Sequence, residues 1–135
     1  KVVEILGDKG KVRAVKLANG EEIKAEVVIS AVGYKPNTGL ARYAGLEINR
    51  EGAIRCDNYL RTSKKDVFAV GDCSQTIGFV TGRTDNIMLA STATAEARIL
   101  GYNLFKINLL RNFVGTLSVF STEIGEVVFA SAGAI

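Results

Sequence analysis

The run Thr62-Ser63-Lys64-Lys65-Asp66-Val67-Phe68-Ala69-Val70-Gly71-Asp72 says more about the architecture of this chain than any other segment. A polar, charged opening gives way to four apolar residues, Val67 to Val70, with the length and composition of a short buried strand. Gly71-Asp72 ends it sharply. In open α/β sheets, ligands bind beyond the carboxyl ends of strands, and this pattern delivers an acid to that place. Gly71 lets a ligand approach the backbone closely. The Asp72 carboxylate can accept two charge-assisted hydrogen bonds from sugar-like hydroxyls. Taken alone, a Gly-Asp pair more often only starts a turn, so the flanking sequence has to decide.

Upstream, residues 2–32 read as consecutive strands. Val2 to Leu6 is followed by the turn Gly7-Asp8-Lys9-Gly10, then by Lys11 to Leu17. Asn19-Gly20 is a strong hairpin signal because both residues tolerate positive φ. Ile23 to Val32 completes the meander, and its end, Val27-Val28-Ile29-Ser30-Ala31-Val32, is apolar enough for a strand buried on both faces of a parallel sheet. Gly33-Tyr34-Lys35-Pro36-Asn37 holds the chain's only proline and reads as a crossover linker. A short helix is expected from Thr38 to Ala44, with Thr38 as N-cap and Gly45 as its stop. Residues 46–61 read as irregular, with extended pieces at Leu46-Glu47-Ile48 and Ala53-Ile54-Arg55.

Downstream, a loop runs to about Asn86. From Ile87 the pattern is helical, with Ala90, Ala93, Ala97, Leu100 and Leu104 at spacings of three and four. Thr84, Asp85 and Asn86 offer capping side chains before it. A core helix with an alanine face on a sheet, and a helix aiming its amides at a flat ligand, both fit this pattern. Residues 117–120 and 124–130 return to strand. Both ends break off abruptly, at Lys1 and at Ala134-Ile135, which suggests a piece of a longer protein.

Composition narrows the function classes. With 47% hydrophobic and 23% charged residues the balance is that of a folded soluble protein. No apolar run approaches the roughly 18 residues a membrane span needs, and no signal peptide is visible. A net charge of +3 arises from basic residues interleaved with acids and apolar residues, so no nucleic-acid partner is expected. The chain has no histidine, the commonest acid–base group and metal ligand, so no metal site is expected. Cys56 and Cys73 are too far apart for a redox C-x-x-C pair; Cys73 reads as a small buried hydrophobe and Cys56 as structural. No G-x-G-x-x-G occurs, so the phosphate-binding fingerprints of dinucleotides are absent. Tyr34, Lys35 and Glu123 carry no more than the expectation for surface residues.

The whole run from Thr62 to Asp72 resembles the second FAD-binding motif of the pyridine nucleotide-disulfide oxidoreductases, whose aspartate holds a ribityl hydroxyl. Three further segments match in order. Val28 to Asn37 is similar to the strand and linker leaving the NAD-binding domain, with Val32-Gly33 near the nicotinamide. Leu89-Ala90-Ser91-Thr92-Ala93 is similar to the start of the helix facing the flavin, although the family's proline and glycine are replaced by Asp85-Asn86-Ile87-Met88. Gly115 to Phe120 resembles the first strand of the interface domain.

The resemblance implies an α/β chain that is part of a flavoprotein with two dinucleotide-binding domains. Residues 1–37 would end the NAD(P)-binding domain, 38–110 would form the C-terminal part of the FAD-binding domain, and 111–135 would begin the dimerisation domain. The cofactors implied are FAD and NAD(P)H, held in part by Gly71, Asp72, Leu89, Ala90, Val32 and Gly33, with no catalytic residue in this segment. The expected parent is an oxidoreductase of the branch containing NADH oxidases, NADH peroxidases and coenzyme A-disulfide reductases, cytoplasmic and a homodimer or higher oligomer. A ferredoxin or rubredoxin reductase and a non-catalytic, self-associating module are the alternatives. The 135-residue chain by itself is expected to be inactive.

Overall fold

The computed structural model describes residues 1–105 and 111–133. Two compact units divide the chain, Lys1–Tyr34 and Lys35–Ile135. The domain boundary expected at 110 and the abrupt end at Ala134-Ile135 lie outside the described residues.

The first unit is a three-stranded antiparallel sheet. Strands β1 (Val2–Asp8) and β2 (Lys11–Leu17) pair around Lys9-Gly10, whose φ values of 48° and 79° match a turn with the twist a hairpin needs. Strand β3 (Glu22–Lys24) returns after Asn19-Gly20, where Gly20 takes φ 88°. Leu17 N–H donates to Glu21 O at 2.8 Å and closes that loop. The long third strand expected from Ile23 to Val32 is not formed beyond Lys24. Val27, Ile29 and Val32 are 76%, 86% and 91% exposed. A doubly buried parallel strand is stable only between neighbouring strands and under covering layers. Among the described residues of this unit, none supplies them.

In the second unit, helix α1 (Gly39–Tyr43) ends in a backbone-capped turn. Gly45 N–H donates to Arg42 O and Leu46 N–H to Ala41 O, with Gly45 at φ 73°, so the expected glycine stop is present. Thr38 does not cap with its side chain; its hydroxyl donates to Gly52 O at 2.8 Å instead. Ala41, Ile54 and Ala69 form the core here, with Leu46, Ile48 and Cys73 against them.

Val67 to Val70 forms no strand; Phe68 makes a single antiparallel bridge to Arg61. The segment is held by other means. Thr62 Oγ1 accepts from Lys64 N–H and donates to Val67 O, folding the charged spacer back on itself. Ala69 N–H then donates to Leu60 O.

Beyond the motif, strands β4 (Thr76–Ile77) and β5 (Thr84–Asp85) form a short antiparallel pair. Helix α2 covers Ala90–Phe105, three residues later than the periodicity from Ile87 indicates. Ile87 N–H is taken by Thr76 Oγ1 at 3.0 Å, so the chain there still belongs to the β4–β5 end. Thr84 and Asp85 lie in β5, and Asp85 Oδ1 accepts from Asn86 N–H rather than capping the helix. The hairpin of β6 (Val119–Ile124) and β7 (Val127–Ala132) turns at Gly125-Glu126 and runs in register from Val119–Ala132 to Ile124–Val127. The break expected after 120 is absent, because Ser121, Thr122 and Glu123 pair with Ala130, Phe129 and Val128.

Candidate functional site

Asp72 stands in a 3-10 turn, Gly71–Cys73, at the point where the apolar segment meets helix α2. Gly71 adopts φ 80°, a conformation that disfavours any side chain. A Cβ there would lie 3.6 Å from Ala93 Cβ, so the first turns of α2 run close behind the turn backbone. The turn is anchored from three directions. Ile54 N–H donates to Cys73 O at 2.8 Å, Gln75 N–H to Ile54 O at 2.9 Å, and Gly71 N–H to Glu96 Oε2 at 2.7 Å. Ser74 is buried, with its hydroxyl 2.8 Å from Gly71 O and 3.0 Å from Glu96 Oε2. Asp72 itself is exposed, and its carboxylate makes no hydrogen bond or ion pair among the described residues. The backbone is fixed while the charged side chain faces outward and open.

Glu96 is missing from the sequence-derived candidates. It is completely buried, and its Oε1 has no hydrogen-bond partner among the described residues. Burial raises its pKa above the usual carboxylate value, the Gly71 N–H and Ser74 hydroxyl lower it, and the nearby Asp72 charge raises it again. One signal was available: a single acid three residues beyond Ala93 and four beyond Thr92, inside a row of small side chains. The buried face of α2 accordingly carries Thr92 and Glu96, with Ala93 half-buried beside them behind Gly71. Ala90 and Ala97 are exposed, and Leu104 is 49% exposed. Thr92 Oγ1 lies 3.0 Å from Thr116 Oγ1, which ties the helix start to the segment after Gly115.

Leu89 and Ala90 sit at the helix start, beside the strip of α2 that meets Gly71. The first intrahelical bond runs from Ala93 N–H to Leu89 O at 3.0 Å, so the amides of Ala90, Ser91 and Thr92 precede the ladder. No acidic side chain occupies this first turn. Val32 and Gly33 belong to the first unit, where Val32 is exposed and Gly33 adopts φ 83°.

Both cysteines are half-buried free thiols. Cys56 Sγ lies 3.4 Å from Gln75 O, and Cys73 Sγ lies 3.6 Å from Val70 O. Burial pushes the Cys56 thiol up to about 11, helped by the charges of Glu96 and Asp57. It therefore stays protonated at neutral pH and is a poor nucleophile. Among the described residues no helix is long and apolar enough to cross a membrane, and no group of three or more candidate metal ligands occurs.

Residues 1–97 match the family model described as pyridine nucleotide-disulphide oxidoreductase. A rubredoxin-NAD(+) reductase of Alcanivorax borkumensis is 33% identical over 76% of this chain and 28% of its own length. An NAD(P)H sulfur oxidoreductase (CoA-dependent) of Pyrococcus furiosus is 32% identical over 95% of this chain and 29% of its own length. Among solved structures, an NAD-dependent persulfide reductase from A. fulgidus superposes with a TM-score of 0.88 at 36% identity, covering 99% of this chain and 24% of that one. The chain thus spans less than a third of each of these relatives.

Proposed function

The chain belongs to the pyridine nucleotide-disulphide oxidoreductase family, and on that premise we propose that it is a segment of an FAD-dependent NAD(P)H oxidoreductase in which Asp72 holds the flavin's ribityl chain. The carrying observation is the contrast at the 3-10 turn, where a rigidly anchored backbone presents an exposed and unpaired carboxylate. A sugar-like hydroxyl chain is the ligand chemistry such a carboxylate serves best. The residues fit FAD: Gly71 offers a backbone without a side chain, and the amides opening α2 favour negative charge on a ring beside them.

When bound, the flavin supplies the redox step, accepting hydride from NAD(P)H and passing electrons to oxygen, peroxide or a sulfur compound. This chain's residues bind and orient. Asp72 accepts hydroxyl hydrogens, Gly71 admits close approach, Leu89 and Ala90 lie where the ring would meet the helix, and Val32-Gly33 would lie near the nicotinamide. Residues 1–37 are assigned to the end of the NAD(P)-binding domain, 38–110 to the C-terminal part of the FAD-binding domain, and 111–135 to the start of the dimerisation domain. A cytoplasmic homodimer or higher oligomer is the assembly proposed. The exposed apolar hairpin β6–β7 supports its association. A rubredoxin or ferredoxin reductase is the second reading, favoured by the relative from Alcanivorax borkumensis. Electron transfer from NADH to such a carrier, with no activity on disulfides or polysulfide, would select it.

Asp72→Ala in the full-length flavoprotein tests the assignment. Losing charge-assisted bonds costs about 1.5–3 kcal/mol, or roughly ten- to a hundredfold in FAD affinity. Flavin retention after dialysis, read by absorbance, measures it. A variant that keeps its flavin as well as the parent would remove Asp72 from the site.

A further inference from the structure

We propose that Thr92 and Thr116 are positioning residues whose hydroxyl pair sets where the first turn of α2 stands against the flavin ring; this rests on the reading of that turn as the flavin-facing one. The helix does not cap itself. The residue before it is Leu89, whose side chain has no acceptor for the opening amides. No acidic side chain lies in the first turn, and Asp85 accepts from the neighbouring Asn86 N–H instead. A helix that begins this way is placed by contacts from outside it. Thr92 is the polar side chain of this turn that points inward: it is buried, whereas Ser91 and Thr94 are exposed. Its Oγ1 lies 3.0 Å from Thr116 Oγ1.

Thr116 is the fixed side of the pair. Its N–H donates to Ile77 O at 2.9 Å and its carbonyl accepts from Phe79 N–H at 2.8 Å, which makes the parallel bridge between Gly78 and Thr116. Gly115 runs so close to β4 that an added Cβ would lie 2.6 Å from Ile77 O. Next to Ile77 in β4, Thr76 Oγ1 accepts from Ile87 N–H at 3.0 Å, on the stretch that enters the helix. The path is therefore closed: from β4 to Ile87, along the chain into α2, across the hydroxyl pair to Thr116, and back to Ile77. The backbone ties hold the frame. The hydroxyl pair sets how the helix start leans within it. Ala90 and Leu89, proposed to meet the ring, lie two and three residues before Thr92, so a shift at the pair is a shift at them.

The pair also joins two parts of the chain. Ser118 O accepts from Gly133 N–H at 3.0 Å, which extends the β6–β7 ladder to within two residues of Thr116. A residue of the segment assigned to the dimerisation domain thus sets a turn of the FAD-binding segment. Valine at either position keeps the branched shape of threonine and breaks the bond, leaving the remaining hydroxyl without that partner.

The experiment uses the full-length flavoprotein and compares the parent with Thr92→Val, Thr116→Val, Thr116→Ser and the double variant Thr92→Val/Thr116→Val. FAD affinity, the visible flavin spectrum and urea stability are read for each. Each valine variant should weaken FAD by roughly three- to tenfold and shift the flavin absorption bands. Serine keeps the hydroxyl, so Thr116→Ser should stay within about twofold of the parent and keep its spectrum. Because both side chains act through one bond, the double variant should lose no more than the worse single variant. Valine variants that lose stability but keep the parent's FAD affinity and spectrum would overturn the proposal. So would losses that add in the double variant, or a Thr116→Ser protein as impaired as Thr116→Val. Should one valine variant fail to fold, the other, or the two together, removes the same bond and decides. A full-length parent that binds no FAD would instead overturn the flavin reading beneath the proposal.

Discussion

Gly71 and Gly115 both adopt positive φ, yet alanine should have very different effects at the two positions. At Gly71, φ is 80° and the new Cβ would meet Ala93 Cβ at 3.6 Å, an ordinary van der Waals contact. The N–H that donates to Glu96 is retained. The cost is therefore backbone strain alone, about 1–2 kcal/mol for a left-handed L-residue. At Gly115, φ is 106° and the Cβ would lie 2.6 Å from Ile77 O and 3.2 Å from Phe79 N and Cα. All of these are backbone atoms, held by Thr116 N–H to Ile77 O at 2.9 Å and Phe79 N–H to Thr116 O at 2.8 Å. No side chain can rotate away. Strain of about 1–2 kcal/mol is joined by about 1–3 kcal/mol of forced displacement, with two hydrogen bonds worth about 1 kcal/mol each at risk. With at least one of those bonds lost, Gly115→Ala should cost at least about 3 kcal/mol, and Gly71→Ala no more than about 2 kcal/mol.

Urea unfolding at unchanged m-value reads both variants, since a midpoint shift at constant slope reports stability alone. Equal losses for the two variants would refute the reasoning. So would a Gly71→Ala protein as stable as the parent, because the turn presenting Asp72 would then lack the conformation described for it.

Serine or alanine at Cys56 and Cys73 should leave NAD(P)H-dependent flavin reduction within about tenfold of the parent, measured by stopped-flow bleaching, because neither thiol is placed as a nucleophile. Alkylation of Cys56 should be slow at pH 8 and accelerate only as pH approaches its thiol value of about 11; rapid labelling at neutral pH would contradict its burial. The 135-residue chain should be colourless, inactive with NAD(P)H and self-associated in light scattering, since β6–β7 exposes Ile124, Val127 and Val128 at 76%, 69% and 70%. A monomer that binds FAD at micromolar concentration would refute this.

Local chemistry was legible in the sequence wherever a short segment supplies its own partners. The Asn19-Gly20 turn, the Gly45 helix stop and the acid after Gly71 are of this kind, because φ preference and side-chain size act within a few residues. Legibility failed where the partner is distant. Val27 to Val32 and Val67 to Val70 carry strand composition, but a ladder needs neighbours that composition cannot announce. The start of α2 was misplaced because Thr76 takes the Ile87 amide from eleven residues away. Its buried face was misread because a helical wheel ranks Glu96 as solvent-facing, whereas the turn it supports turns that position inward.

The departure of Val67 to Val70 from a strand bears on how the site is held. A ladder would fix Asp72 through hydrogen bonds along the segment's edges, and only the bridge between Arg61 and Phe68 is present. The hold comes from polar side chains instead. Thr62 closes the charged spacer by bonding Lys64 N–H and Val67 O, which sets where the apolar run begins. Ser74 and Glu96 grip the far end, at the carbonyl and amide of Gly71. Between these two clamps the side chain of Ala69 enters the core with Ile54 and Ala41. The motif's threonine and the helix's glutamate thus serve one purpose from opposite ends, fixing the path of the backbone so that Asp72 need not fold back to satisfy it. A carboxylate relieved of that duty remains open to a ligand, which is why the polar residues around the motif matter to the site as much as the aspartate does.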